Sequence, residues 1–301
     1  MRSGSPRSRG PGPWLILVAA TLWGTTGTAR ALGPAGADPL SVGAIRIIIG
    51  GALLAVIAIA LRGDPRRLAA GPTVVAAASV AAYQLAFFSS VAILGVALGT
   101  IIAIGSAPIA TGLLSALRGD PPTRRWYVAT VAAVLGVALL ALPGAGPALE
   151  PRGVLLALTA GTGYALYATC AKTLLRTSPP LTVMAAAFAG GAILLLPVAA
   201  RSDLGWLAEP GGLLVALHLG IVTTAIAYAL FGRGLRLVPT TTAATLSLFE
   251  PLTATILGMV VLGERLTPLQ SLGAVAILVG VAVIATGGSR PSSSASPVAA
   301  G

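Results

Sequence analysis

Long apolar segments, separated by short polar connections, run along almost the whole chain. A helix needs about 20 mostly apolar residues to cross a bilayer core about 30 Å thick, and segments of that length recur throughout the sequence. Strands of a membrane barrel would alternate apolar and polar residues, whereas these segments are apolar throughout. The pattern predicts an all-α integral membrane protein with ten transmembrane helices. They are Trp14–Leu32, Leu40–Leu61, Pro72–Ser90, Gly95–Leu117, Trp126–Leu142, Gly153–Ala171, Pro180–Ala200, Gly212–Gly232, Thr240–Leu262 and Leu269–Thr286.

The separation between the third and fourth predicted helices is the least obvious one. No charged residue occurs between Thr73 and Leu117, yet this stretch is far too long for one crossing. We place the division near Gly95.

Residues 1–13 and 287–301 are rich in Ser, Pro, Gly and Arg and are predicted to be disordered cytoplasmic tails. Ala29-Arg30-Ala31 also fits a signal-peptide cleavage pattern, but the first helix has a counterpart later in the chain, which favours a retained helix.

The composition of the 301-residue chain excludes several classes of protein. Hydrophobic residues make up 56% of it and charged residues only 9%, against about 25% charged residues in a soluble domain. A water-soluble enzyme and a disordered chain are therefore excluded. The single cysteine, Cys170, allows no intramolecular disulfide and no cysteine-built metal site. We expect no metal site and no cofactor.

The positions of the 19 basic residues predict the orientation. With the N-terminus inside, fourteen of them fall in inside segments and three, Arg152, Arg201 and Arg265, fall in outside loops. Arg30 and Arg46 lie within predicted helices. Basic residues concentrate in cytoplasmic loops, so both termini are predicted to be cytoplasmic in a multi-pass protein of the cell (plasma or inner) membrane. The net charge of +11 then reflects topology and anionic lipid, and no nucleic-acid partner is expected.

The two halves of the chain match each other at a spacing of about 143 residues. Pro108 corresponds to Pro251, Gly119-Asp120 to Gly263-Glu264, and Leu135-Gly136-Val137 to Val279-Gly280-Val281. The predicted repeats cover residues 14–142 and 153–286, joined by an external linker at 143–152. Because each predicted repeat has an odd number of helices, five, the second repeat would enter the membrane from the side opposite to the first. Such inverted repeats are typical of secondary transporters, which bind solute at the repeat interface.

The residues between Ala229 and Leu266 resemble a known family. They include a small-residue run with Ser and Thr, the pair Glu250-Pro251, and the closing Gly-Glu-Arg-Leu at 263–266. The stretch is similar to the EamA-type signature of the drug/metabolite transporter (DMT) superfamily, and fainter echoes occur at Trp23-Gly24 and Arg46. The resemblance implies ten helices in two repeats and a central cavity lined by helices 1, 3, 4, 6, 8 and 9. The first-half counterpart of Glu250 is Ala107, so no symmetric pair of acids exists.

Two full charges lie well inside predicted helices, Arg46 and Glu250. A charge near the bilayer centre costs at least about 2.5–3.5 kcal/mol on insertion scales, so such residues are functional candidates. Glu250 is a candidate ion-coupling site for a proton or cation; a protonated acid that bridges helices is the structural alternative. Arg46 either snorkels to the outer interface, balances Glu250, or anchors a substrate carboxylate.

Other polar residues within the spans are candidates for lining the cavity. Such groups either hydrogen-bond between helices or orient a ligand in a mostly apolar cavity. An unperturbed histidine side chain titrates near physiological pH, but a lone histidine such as His218 makes no metal site by itself. Proline removes a helix hydrogen bond, so Pro108 and Pro251 are predicted kinks. The candidate cavity residues are Trp23, Tyr83, Gln84, Tyr164, Tyr167, His218, Tyr228 and Glu250.

Transport of a small organic solute is the function that these features favour. The solute would be a metabolite, an amino acid or a drug-like molecule, exported by alternating access around the central cavity. A proton or a counter-solute is a candidate coupling partner, and a homodimer is left open. The alternative is a lipid or lipid-linked-sugar flippase of the same fold. An intramembrane enzyme is disfavoured, because the chain lacks a nucleophile–base constellation or a metal cluster.

Overall fold

The computed structural model describes residues 10–142 and 150–286. The predicted tails and the predicted linker at 143–152 fall largely outside these residues. Over the described ranges the regular secondary structure is helical, without strands. The helices are α1 (Gly12–Ala31), α2 (Pro39–Ala60), α3 (Ala70–Leu117), α4 (Arg124–Ala141), α5 (Pro151–Leu174), α6 (Pro180–Ala199), α7 (Gly212–Leu217), α8 (Ala227–Leu237), α9 (Thr240–Ser247), α10 (Phe249–Leu262) and α11 (Pro268–Ala285).

Eight helical stretches in the described ranges are long and apolar enough to cross a membrane. A π-helical segment, His218–Ile226, joins α7 to α8, so that Gly212–Leu237 is one stretch, and Thr240–Leu262 is another. Helix α1 has 20 residues but is not among the eight. Its second half, GTTGTAR, contains few strongly apolar residues. The chain is therefore a helical, multi-pass membrane protein.

Helix α3 reverses direction at Gly95, where the sequence predicted a division between two helices. Gly95 has φ 80° and ψ 163° inside an otherwise helical stretch of 48 residues, and glycine adopts such a conformation without a Cβ clash. Gly99 packs directly on Val91, which a continuous helix would forbid. The two limbs of α3, 70–94 and 96–117, form a helical hairpin. Helical geometry continues to Leu94, beyond the Ser90 that was predicted as the end.

Equivalent turns in the two halves have the same local conformation. Gly119 and Gly263 both have positive φ, 80° and 72°. Four residues after each, a threonine side chain caps the next helix: Thr123 accepts from Trp126 N, and Thr267 accepts from Gln270 N. An N-cap hydroxyl satisfies one of the free N–H groups at a helix start. The aligned residues of the repeat thus end and start helices in the same way.

Close packing through glycine joins α4 to α11. Gly136 packs against the carbonyl of Gly273, and Gly280 packs against the carbonyl of Ala129. These two contacts are equivalent under the repeat, because a shift of about 144 positions relates Gly136 to Gly280 and Ala129 to Gly273. Helix α2 packs similarly on α6, where Gly51 meets the backbone of Phe188. Small residues let helix backbones approach closely in a membrane, where lipid provides no hydrophobic drive for association.

The loops form two faces of different charge. Gly12 contacts Val238, and Gly63 contacts Thr182. The loops and helix ends near these residues therefore lie on one face of the bundle, called here the arginine-rich face. Its described basic residues are Arg62, Arg66, Arg67, Arg118, Arg124, Arg125, Lys172, Arg176, Arg233 and Arg236. On the other face, called the arginine-poor face, Gly33 contacts Val215 and Gly153 contacts Leu94. Its described basic residues are Arg30, Arg152, Arg201 and Arg265.

A single methyl group on Gly280 is expected to destabilise the protein. It would lie 2.9 Å from the Cβ and from the N atom of Ala133, so α4 and α11 must separate, which typically costs about 1–3 kcal/mol. Gly71→Ala is the matched control, because nothing lies within 4 Å of a Cβ there. Thermal unfolding of purified protein in detergent should show a lower Tm for Gly280→Ala and a Tm close to wild type for Gly71→Ala. Equal Tm values for both variants would contradict this packing.

Candidate functional site

A cavity of about 1300 Å³, counting the part open to solvent, lies in the middle of the bundle. Its walls come from α1, α2, both limbs of α3, α5, α8, α9 and α10. Apolar and aromatic side chains predominate, with a few polar groups, as is typical of small-molecule sites. The polar and charged lining residues are Trp23, Thr26, Arg30, Arg46, Tyr83, Gln84, Thr100, Tyr164, Tyr228, Ser247 and Glu250.

The cavity extends from the centre of the bundle toward the arginine-poor face. At that end it is lined by Arg30 in the last turn of α1 and by Val91 and Val96 beside the Gly95 turn. At the other end it is lined by Tyr164 and Tyr228, near the middle of their spans. The half of the bundle next to the arginine-rich face contributes little to the lining.

A cluster of aromatic rings closes the cavity toward the arginine-rich face. Tyr228 packs on Phe188 with ring centroids 4.0 Å apart and on Trp23 at 4.9 Å. Phe231 and Tyr167 are buried behind them, with centroids 6.3 Å apart. A second, much smaller space lies among these rings and is lined by Tyr167 and Phe188. Solute in the main cavity would have to displace these rings to pass further.

Two hydrogen bonds fix the polar side chains of the walls. Gln84 is 3% exposed and donates from Nε2 to the carbonyl of Gly43 at 2.9 Å. Tyr164 OH and Ser247 Oγ lie 3.0 Å apart, which joins α5 to the end of α9. Each contact links two neighbouring helices of the cavity wall and keeps polar groups satisfied away from water.

Arg46 and Glu250 both line the cavity, from α2 and α10. They do not form an ion pair: among the described residues, the only salt bridge joins Arg67 and Asp64 at 3.2 Å. Arg46 Nε is buried without a hydrogen-bond partner, and so is Trp23 Nε1. The two donors, Arg46 Nε and Trp23 Nε1, and the carboxylate of Glu250 therefore belong to the same cavity lining without being paired with each other.

The structure brings most of the predicted cavity residues together and leaves two elsewhere. Trp23, Tyr83, Gln84, Tyr164, Tyr228, Glu250 and Arg46 line the main cavity. Tyr167 lines the smaller space, and its hydroxyl donates to Met184 Sδ at 2.9 Å. His218 lines neither space; its Nε2 lies 2.8 Å from Thr25 Oγ1. A role for His218 in contact with solute stays a prediction without support from this geometry.

The two prolines sit in different surroundings. Leu248 separates α9 from α10, three residues before Pro251 and directly before the turn that contains Glu250. Pro108 lies inside the second limb of α3, where Gly95 is the residue with non-helical backbone angles. Kinks caused by either proline remain predictions.

Sequence reasoning did not find several features of the site. Phe87, Phe88 and Thr100 line the cavity, but in the sequence they look like ordinary lipid-facing or packing residues. The π-helical segment 218–226, which precedes Tyr228 but does not itself line the cavity, was not foreseen either. In it both Thr223 and Thr224 donate to the carbonyl of Leu219 at 2.8 Å. π-Helical turns are frequent at functional sites, but no residue pattern in this sequence predicted one.

The described residues contain no group of three or more His, Cys, Asp and Glu side chains that could hold a metal ion. The cavity lining offers hydrogen-bond donors, aromatic faces and three charged side chains, Arg30, Arg46 and Glu250, which lie on different helices.

A multi-pass helical bundle around a central cavity is the architecture of many membrane transport proteins. The sequence profile of the EamA-like transporter family matches the chain twice, at residues 10–142 and 151–286. The chain therefore belongs to this family of the drug/metabolite transporter superfamily.

Two similar proteins are named as a transporter and an exporter. An uncharacterized transporter, YwfM of Bacillus subtilis (strain 168), is 42% identical over 271 residues, which is 89% of this chain and 92% of the relative. The threonine/homoserine exporter RhtA of Escherichia coli (strain K12) is 33% identical over 189 residues, 61% of each chain. A solved crystal structure matches the fold with a TM-score of 0.80 and 20% identity, covering 92% of this chain and 96% of the other.

A cysteine at Thr100 should react with a water-soluble maleimide. Thr100 lines the cavity, whereas Thr111 on the same limb of α3 is 1% exposed and donates to the carbonyl of Ala107 at 2.7 Å. Both variants are made in a Cys170→Ala background, which removes the native thiol. In detergent, Thr100→Cys should label at least about tenfold faster than Thr111→Cys. Equal rates would mean that no water-filled path reaches Thr100.

Proposed function

We propose that the protein is a secondary transporter that exports small organic solutes by alternating access around the central cavity. The observation that carries this proposal is the asymmetry of the cavity. It is large enough for a metabolite, opens toward one face, and is closed toward the other by packed aromatic rings. An alternating-access transporter halted in one of its two states has such a shape.

Ten membrane crossings in two inverted five-helix repeats are part of the proposal. The reversal at Gly95 supports it, because a 48-residue helix would be about 72 Å long at about 1.5 Å per residue, more than twice the bilayer core. The paired contacts of Gly136 with Gly273 and Gly280 with Ala129 also support it. In the proposed arrangement, a pseudo-two-fold axis in the membrane plane would relate these contacts. Exchanging the conformations of the two repeats would then convert an outward-open state into an inward-open one.

The arginine-rich face is proposed to be cytoplasmic, with both termini on that side of the cell membrane. The excess of basic residues on that face supports this orientation. The cavity then opens to the outside in the present structure. Export would require the aromatic cluster to part, so that solute enters from the cytoplasm.

Small polar metabolites are the proposed solutes, with amino acids among them. The match to a threonine/homoserine exporter supports their inclusion. The chain contains no G-x-x-x-x-G-K-[ST] phosphate-binding loop, so energy is proposed to come from an ion gradient, solute exchange or the gradient of the solute itself. Glu250, the one acidic residue that lines the cavity, is the candidate for a coupling proton.

Filling the cavity should stop transport. The test is uptake of radiolabelled solutes into proteoliposomes, with the 20 proteinogenic amino acids and homoserine as the first panel and nucleosides and organic acids as the second. Thr100→Trp places a large ring in the cavity and should lower the uptake rate at least about tenfold. Ile109→Trp on the same limb of α3 is the control, because Ile109 is 58% exposed on the outside of the bundle.

The control variant should transport at close to the wild-type rate, and both variants should keep the wild-type Tm. Accumulation of no solute from either panel by the wild-type protein would contradict the transporter proposal. Unchanged uptake with Thr100→Trp would show that solute does not pass through this cavity.

A further inference from the structure

Lys172 has no part in the proposed function so far, yet its side chain makes three hydrogen bonds. It is the only lysine in the chain, and all other basic residues are arginines. It lies half-buried in the last turn of α5, at the arginine-rich face. Its Nζ donates to the backbone carbonyls of Leu235 at 2.7 Å, Arg236 at 3.0 Å and Val238 at 2.8 Å. These three contacts are called here the lysine cap.

The lysine cap suits the chemistry of the end of α8. The last carbonyls of a helix have no partners within the helix, and the helix dipole favours a cation beside them. An ammonium has three donors and no acceptor, so the three carbonyls use the full capacity of Lys172. A guanidinium is planar and holds its donors in a rigid fork, which fits three backbone carbonyls around one point less well.

The lysine cap joins elements that border the closed half of the bundle. Val238 has extended backbone angles and follows α8 directly, and Pro239 caps the start of α9. Lys172 therefore holds the turn between α8 and α9 to the end of α5, and α5 packs on both helices. Tyr167 and Phe231, two of the rings that close the cavity, lie one to two turns before the cap on α5 and α8.

The first repeat contains the counterparts of these elements. The repeat spacing of about 143 residues relates Gly95, at the turn of α3, to Val238, at the turn between α8 and α9. Packing agrees with this relation, because Gly12 at the start of α1 contacts Val238, and Gly153 near the start of α5 contacts Leu94. Helix α1 thus corresponds to α5, and the two limbs of α3 correspond to α8 and α9.

Arg30 is the counterpart of Lys172 but has different surroundings. Each is the basic residue in the last turn of its helix. Arg30 lines the open end of the cavity together with Val91 and Val96, which flank the Gly95 turn. Among the described residues, α1 and α3 lack the packing that joins α5 to α8 and α9. The cavity therefore separates α1 from the turn that corresponds to the one Lys172 holds.

We propose that Lys172 is a positioning residue that keeps the arginine-rich face closed through the lysine cap, and that Arg30 does the same at the arginine-poor face in the opposite state. In that state the cavity opens toward the arginine-rich face. Lys172 then releases the turn between α8 and α9, and Arg30 donates to the carbonyls at the end of the first limb of α3. This inference rests on the proposed alternating access and assigns the residues that hold each closed state.

Cysteine reporters of the two states test the inference in the full-length protein in nanodiscs. Ala243 on α9 is the repeat counterpart of Thr100 and is 0% exposed. Ala243→Cys should therefore react with a water-soluble maleimide only from the opposite state. Thr111→Cys, buried inside α3, reports general loosening of the bundle. All cysteine variants carry Cys170→Ala, and their Tm values are compared with that of the background protein.

Loss of the lysine cap should favour the opposite state. Lys172→Met should raise the labelling rate of Ala243→Cys at least about tenfold, because hydrogen bonds from a charged group are lost only in the present state. The rate for Thr111→Cys should not change. Lys172→Arg keeps the charge without the same geometry and should give an intermediate rate. Arg176→Met removes an exposed charge four residues further along the chain and, as the matched control, should label like wild type.

Acetylation of Lys172 gives a second measurement that needs no cysteine. Because the chain has one lysine, mass spectrometry of one peptide follows its reaction with a water-soluble acetylating ester. Arg30→Met should slow this reaction at least about threefold, since loss of charge-assisted contacts makes the opposite state, in which Lys172 is released, rarer. Arg152→Met, at the same face but outside the cavity lining, is the control and should leave the rate unchanged.

Three results would overturn the proposal. One is that Lys172→Met leaves the Ala243→Cys rate unchanged. Another is that it speeds Ala243→Cys and Thr111→Cys equally, because Lys172 would then only stabilise the fold. The third is that Arg30→Met leaves the acetylation of Lys172 unchanged or speeds it. If the wild-type protein accumulates solute in the uptake assay, each of these results leaves the transporter proposal standing.

Discussion

The low polarity of the membrane interior is the constraint on which the rest of this structure depends. A backbone that crosses the bilayer must satisfy its hydrogen bonds within its own helix, and a charged side chain must sit in a loop, at a helix end or in an internal cavity. Most of the basic residues of the chain satisfy this rule in loops and at helix ends. The two charged residues that lie well inside helices, Arg46 and Glu250, both line one internal cavity. Charged residues that would be costly in contact with lipid therefore indicate where the cavity lies.

Close packing of small residues makes such a cavity compatible with a stable bundle. Gly51 lets α2 approach the backbone of α6, and Gly273 and Gly280 do the same for α11 on α4. In the centre of the bundle, the large side chains of Trp23, Tyr228 and Phe231 pack as rings. Rings in van der Waals contact close the passage without covalent or ionic links. Under the proposed mechanism, opening would require these rings to rearrange.

The sequence predicted the helical, multi-pass class because length and apolar character alone decide which segments cross a membrane. It also located the division at Gly95, since a charge-free stretch of that length cannot cross once, and the structure confirms a reversal there. It could not show which polar groups share a cavity. His218 and Tyr167 have the same sequence signals as Tyr164 and Tyr228, and only packing separates them: Thr25 and Met184 occupy their polar atoms. Phe88 and Thr100 were missed because side chains of these types are as common on packed or lipid-facing surfaces as in cavities.

The central claim is that one cavity alternates between the two faces. Spin-label distances in nanodiscs test it most directly, with one label pair on each face. Exposed loop residues Ala35 and Glu209 serve on the arginine-poor face, and Asp120 and Arg176 on the arginine-rich face. With a transported solute present, the account predicts that the first distance shortens in the same fraction of molecules in which the second lengthens. Unchanged distances on both faces, under conditions where the solute is transported, would contradict it.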